Sequence, residues 1–352
     1  MMVMEVSLIT KILLSIVVLN LLIWPLVSKW VENHLEMFLL LVGIAAVSIA
    51  GGWSKDFVYQ TFNAPVNVAF IVLVVSVIFN HYSRYIFRVL FILFRYLEPR
   101  YSFAVLVFLL GMMSSICSVT VAALVLAEVL QVVNLERDQT VKVTVYACYA
   151  IGLGAILLPL AEPLGLVIYN ELAAGPHQAD FFFVLRHFFW WIVPGIVLCA
   201  LAAGYTVRNT NTQVQLHIRE DKEDPKSILR RTWNIYLFVA ALHLISTGLR
   251  PFAQSTIALL NGKILFWANA VSVIIDNATL AAIEVTPNVS TENLMYMVIG
   301  LAAFGSMLVQ GNLPNIVAAE KLNIKSREWA RVAVPVGLVL MTGYFVALCI
   351  SL

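Results

Sequence analysis

The stretch "NAVSVIIDNATLAAIEV" occupies Asn269–Val285. An acid, an amide and a hydroxyl (Asp276, Asn277 and Thr279) stand together in a segment otherwise fit for hydrocarbon. A carboxylate at the centre of a bilayer costs about 2.5–3.5 kcal/mol on insertion scales, so something must offset it. A bound cation does so, and so does a proton. Burial favours the neutral acid, whereas an adjacent Na⁺ favours the carboxylate. One carboxyl can therefore exchange a proton for a cation. Asn277 and Thr279 add neutral oxygens of the kind a hard cation takes. Half-helix ends at a break add unpaired backbone groups. Asp276, Asn277 and Thr279 are thus the expected ligands of a monovalent cation. A helix-capping role for Asp276 is compatible with that.

The rest of the chain has the same character. Of 352 residues, 61% are hydrophobic and 12% charged, and the mean hydropathy is +0.90. Such a chain is an all-α polytopic membrane protein. Full spans are expected near 8–28, 36–51, 63–81, 144–169, 184–205, 233–249, 294–319 and 332–350. Two more apolar stretches, 103–131 and 264–287, carry polar clusters near their middles. Each is long enough for two half-helices but not two crossings, so both read as re-entrant hairpins. Cys117, Cys148, Cys199 and Cys349 lie in apolar segments without metal or redox spacing. The N-terminus has no basic region before its apolar run, so a retained first helix is expected rather than a cleaved signal.

All but five of the 22 lysines and arginines fall in one set of loops. The exceptions are Lys11, Lys55, Arg186, Arg250 and Lys263. By the positive-inside rule the rich set is cytoplasmic, and both termini lie outside a cell (inner) membrane. The halves also resemble each other. Ser118–Ala123 aligns with Asn277–Ala282, Gly154 and Pro163 with Gly305 and Pro314, and Val193-Pro194 with Val334-Pro335. The hairpins would open on opposite sides, as in an inverted repeat with its site at the midplane. The expected organisation is N-terminal scaffold helices in 1–62, a first repeat in 63–205, a cytoplasmic linker in 206–232 and a second repeat in 233–352.

Three further clusters break the spans. The first hairpin carries Ser118 and Thr120 at its interruption. In "LLPLAEPLG", Leu157–Gly165, Pro159 and Pro163 flank Glu162, a second possible proton carrier beside freed carbonyls. In "VQGNLPN", Val309–Asn315, the side chains of Gln310, Asn312 and Asn315 offer neutral ligands, and Gly311 and Pro314 break the backbone. Glu128 and Glu284 are expected at a mouth or an interface. No nucleotide-binding, nucleophile or metal motif is present, so neither an enzyme nor a bound cofactor is expected.

"SVIIDNATLAAI" resembles the hairpin motif of the ion transporter superfamily, especially its arsenite-efflux and NhaD-type sodium/proton antiporter branches. "GNLPNIVAAE" resembles the Gly-Asn break of a later helix in the same proteins. "LLPLAEPLGLVI" and "SSICSVTVAAL" look like a small, largely uncharacterised branch described as candidate cation transporters. The resemblance implies two inverted repeats, a scaffold and a transport domain, elevator-like motion and a homodimer. Carried over by residue, it marks Asp276, Asn277, Thr279, Gly311 and Asn312. The first hairpin tip departs from the Ser-Asn-Thr of sodium/carboxylate members. The reading is a secondary transporter exchanging Na⁺ for protons, with the lipid bilayer and a small ion as partners and no nucleic acid. Its alternative is a Na⁺- or H⁺-coupled anion transporter, which would lack a midplane Arg or Lys.

Overall fold

The computed structural model describes the chain except 1–7, 29, 32–33, 64, 67–68, 71–72, 75–76, 79–80, 82–95, 134, 174, 208–223, 257–259 and 271–276. Asp276 lies outside the described residues, as do the side chains of Thr279 and Gln310. Every described element is helical. In chain order they are α1 (Leu8–Val27), α2 (Leu35–Ala50), α3 (Pro99–Met113), α4 (Val119–Val133) and α5 (Arg137–Ala155). Then come α6 (Pro163–Ala173), α7 (Phe183–Thr206), α8 (Pro225–Thr256), α9 (Gly262–Ala268) and α10 (Asn277–Glu284). The last are α11 (Thr291–Phe304), a 3-10 turn (Val309–Gly311), α12 (Leu313–Lys321) and α13 (Ser326–Ser351).

Three of these, α7, α13 and the Pro225–Leu249 part of α8, are long and apolar enough to cross a membrane. Their outward residues are apolar too: Trp190, Leu201, Val339 and Ile350 are all largely exposed. A helix apolar on every face is solvated by lipid, not water. The chain is an all-helical membrane protein. Helix α8 starts at Pro225, inside the expected linker 206–232, because a proline at the first turn loses no hydrogen bond there.

Three of the expected interruptions are where helices end, and the one in 264–287 falls largely on residues outside those described. α3 stops at Met113 and α4 starts at Val119, and α5 stops at Ala155 before α6 at Pro163. α11 stops at Phe304, and α12 starts after Asn312, whose side chain accepts from the Leu313 N–H as its cap. At 1.5 Å per residue the 15-residue α3 and α4 are each about 22 Å long, short of a bilayer core of about 30 Å.

Contacts fix the directions. Gly111 of α3 meets Ile196 of α7, and Gly204 meets Arg100 and Ala104, so α3 and α7 are antiparallel. Gly195 meets Leu153, and Gly111 meets both Ile196 and Ala150, so α5 is antiparallel to α7 as well. α4 ends where α5 begins: Gln131 Nε2 donates to Lys321 O, and Arg137 donates to Leu322 O, Asn323 O and Glu328. The first helix pair therefore enters and leaves at one end of the bundle. The second does the same at the other end. Gly262 receives Asn293 at the start of α11, while Pro287 and Val289, just after α10, meet Gly175 and His177.

The two halves exchange helices. α10 packs on α6, and α4 packs on α12. Apart from them, α1, α2 and α8 form a group of their own, with Gly43 and Gly248 bringing α2 and α8 into close contact. This group touches the remainder through α6 and α10.

One crossing depends on the absence of a side chain. A Cβ on Gly154 would overlap the carbonyl of Gly111, a backbone group that cannot rotate away. Gly154→Ala is expected to separate α3 from α5 and destabilise the bundle by about 1–3 kcal/mol. A thermal melt of the purified variant in detergent checks this.

Candidate functional site

Among the described residues, three interruptions and the start of α10 come together through named contacts. At the first tip, Ser114 Oγ lies 2.7 Å from Gly111 O and 2.9 Å from Ile151 O, sharing its one proton between its own helix and α5. The next residue, Gly152, leaves room for the Asn312 amide: a Cβ there would stand 2.9 Å from Asn312 Nδ2 and 3.3 Å from Ser306 Oγ. Ser306 Oγ donates to Cys148 O at 3.3 Å, tying the second break to α5. A Cβ on Gly305 would stand 3.7 Å from Asn312 Nδ2 and 3.8 Å from Asn277 Nδ2, so both amides reach one small volume. Asn277 Nδ2 donates to Glu162 Oε1 at 3.2 Å across 115 residues of sequence.

Glu162 is 4% exposed and Asn277 equally buried. The carboxyl precedes Pro163 at the start of α6, and Asn277 opens α10. Both helices run away from this point side by side, because Glu162 meets Asn277 at one end and Gly175 meets Pro287 at the other. Their N-terminal ends carry partial positive charge toward Glu162. α12 also starts here, at the Asn312 cap. The C-terminal carbonyls of α5 and α11 end at the same level.

Asn315 clasps the backbone through its Nδ2. It is fully buried, and its Nδ2 donates to Gly305 O at 3.2 Å and Leu308 O at 2.9 Å. It thus satisfies two carbonyls that the break of α11 sets free. Its Oδ1 is buried without a hydrogen-bond partner among the described residues. Trp329 Nε1 supports the same turn by donating to Ser306 O. Ser118 and Thr120 are half-buried at the first tip, and neither side chain makes a hydrogen bond among the described residues. The hydroxyl that bridges there is Ser114.

Of the expected residues, then, Glu162, Asn277, Asn312 and Asn315 come together. Asp276 directly precedes Asn277 in sequence but lies outside the described residues. Pro163, Gly311 and Pro314 stand at the breaks as expected. Ser114, Gly152, Gly305 and Ser306 were not singled out as site residues. Their sequence signal is weak, since small residues are common in membrane helices for packing alone. Glu284, expected at a mouth or an interface, is 9% exposed, and Asn269 Nδ2 donates to its Oε2 at 3.1 Å.

The role of Asn315 can be isolated. Asn315→Leu fills the space but leaves the Gly305 and Leu308 carbonyls unpaired. It is expected to cost about 1–3 kcal/mol in stability, from the desolvated acceptors. The thermal midpoint should fall while the variant still inserts in the membrane.

No curated protein matches the chain. A family model does match, over residues 10–351, and its description reads "Protein of unknown function (DUF1646)". With nearly its whole length covered, the chain belongs to the DUF1646 family.

Proposed function

We propose that the protein is a secondary active transporter that exchanges a monovalent cation, Na⁺ first among candidates, for protons. The observation that carries this reading is the buried contact between Glu162 and Asn277. It joins the break of one helix to the tip of a hairpin from the other half of the chain. A carboxyl at that depth is stable when neutralised, by a proton or by a cation. Asn277, Asn312 and the carbonyls of the broken helices are neutral ligands beside it, and Asp276 would add a second acid one residue from Asn277. A proton and a cation then compete for one place, which is sufficient for exchange.

The helix exchange supports reading the halves as inverted repeats: α4 lies on α12 as α10 lies on α6, and the two hairpins open at opposite ends. The helices α1, α2 and α8 would be the scaffold, and the crossed hairpins and broken helices the moving body of an elevator. The positive-inside count puts the Arg137 end in the cytoplasm and both termini outside. Homodimerisation belongs to the same proposal.

A second reading, a coupled anion transporter, draws on the helix N-termini that open at the site, where N–H groups and amide nitrogens converge. Glu162 in the same place repels an anion unless it is protonated, which makes exchange the stronger reading.

The test is pH-gradient dissipation in proteoliposomes, with Na⁺, Li⁺, K⁺ and Ca²⁺ added in turn. Wild type should respond to one cation. Glu162→Gln and Asp276→Asn should abolish the response, and Asn277→Ala should weaken the apparent cation affinity about 10–100-fold, as for loss of a group that orients a ligand. A folded wild type that answers to no cation sinks the exchange reading and leaves anion uptake to be measured.

A further inference from the structure

The second hairpin holds another buried carboxyl, and the exchange site does not use it. Glu284 ends α10, seven residues after Asn277. Seven residues are two helical turns, so the two side chains leave the same face of α10, about 10 Å apart along its axis. At its far end Glu284 meets Asn269, which directly follows α9, the other arm of the hairpin. Asn269 is 1% exposed and spends its amide hydrogens on Glu284 Oε2 at 3.1 Å and Met297 O at 3.4 Å. Its Oδ1 is buried with no hydrogen-bond partner among the described residues.

This environment suits a neutral acid. One amide N–H is a poor substitute for water around a full negative charge. The elements packed on α10 supply no described cation nearby. On α9, Lys263 is exposed, and on α1, Lys11 is exposed. On α8, Lys226 and Arg230 are exposed at the opposite end of a long helix, and the His243 ring stacks on Phe57. The side chains of Arg231 and Arg250 lie outside the described residues. On α11, Glu292 is exposed and Tyr296 bonds Cys349. The neighbouring α6 carries Tyr169 and a further buried acid, Glu171.

We propose that Glu284, clasped by Asn269 between the arms of the second hairpin, is a proton-binding carboxyl on the side of the Glu162–Asn277 site where that hairpin opens. It takes a proton from water at the hairpin base and returns it there. Losing that proton leaves a charge between the arms, which favours their separation and the entry of water. Its part in the exchange cycle rests on the function proposed above. Its protonation does not.

The two can be separated by infrared difference spectroscopy of the full chain in lipid during a pH titration. Wild type should show a protonated-carboxyl carbonyl band that titrates. Glu284→Gln should lose that band, and Glu162→Gln should keep it. Asn269→Ala should keep the band but shift its position, because the carboxyl loses its partner. If Glu284→Gln leaves the spectrum unchanged, or the wild-type band is absent, the proposal is overturned. If Glu284→Gln does not fold, Asn269→Ala decides: an unshifted band overturns the proposal. In the proteoliposome assay Glu284→Gln should displace the pH profile of exchange while the preferred cation stays the same. A titrating Glu284 band in a protein that exchanges no cation would keep the proton site and remove the exchange reading.

Discussion

A polypeptide in hydrocarbon must satisfy every backbone N–H and C=O within itself. A helix does this automatically, and each end of a helix undoes it. This chain stops helices at Met113, Ala155 and Phe304, inside the apolar mass of the bundle. Those ends cannot be scattered, because an isolated break would leave bare carbonyls against lipid. They are gathered instead, and side chains from one break serve the carbonyls of another. Ser114 reaches Ile151 O, Ser306 reaches Cys148 O, Trp329 reaches Ser306 O, and Asn315 closes the Gly305 turn on itself. Glycines at 111, 152 and 154 let the chains approach closely enough for this to work.

Gathering the breaks has a chemical consequence. It brings Glu162 and Asn277 into contact with the amide of Asn312 close by. Polar groups needed to close the backbone are then also available to a ligand. Asn312 illustrates the overlap: its Oδ1 caps α12 while its Nδ2 faces the glycines of the site. The same constraint groups the helices. α5 and α13 are pinned together by Tyr149 to Ala333 O and by Arg137 to Glu328, and the turn after α11 joins them through Ser306 to Cys148 O and Trp329 to Ser306 O. The group of α1, α2 and α8 makes its main contacts with the rest through α6 and α10, the helices that begin beside Glu162 and at Asn277.

The amino-acid sequence alone determined that the protein is a helical bundle in a membrane, because 61% hydrophobic residues in long runs have no other stable solvent. It also determined where the helices break, since proline, glycine and clustered polar residues interrupt hydrogen-bonding locally and leave a local signature. It singled out Glu162, Asn277 and Asn312 for the same reason. What it could not determine was pairing. Whether Asn277 faces Glu162 or lipid depends on which helix lies beside α10, a contact 115 residues away that no local pattern encodes. That the Nδ2 of Asn315 clasps two backbone carbonyls was likewise visible only in the packing. For Glu284 the sequence offered a mouth or an interface, and only the fold sets Asn269, itself bonded to Met297 O, against it. Tertiary structure decided these roles because a side chain's chemistry follows from what desolvates it, and desolvation is a property of the neighbours.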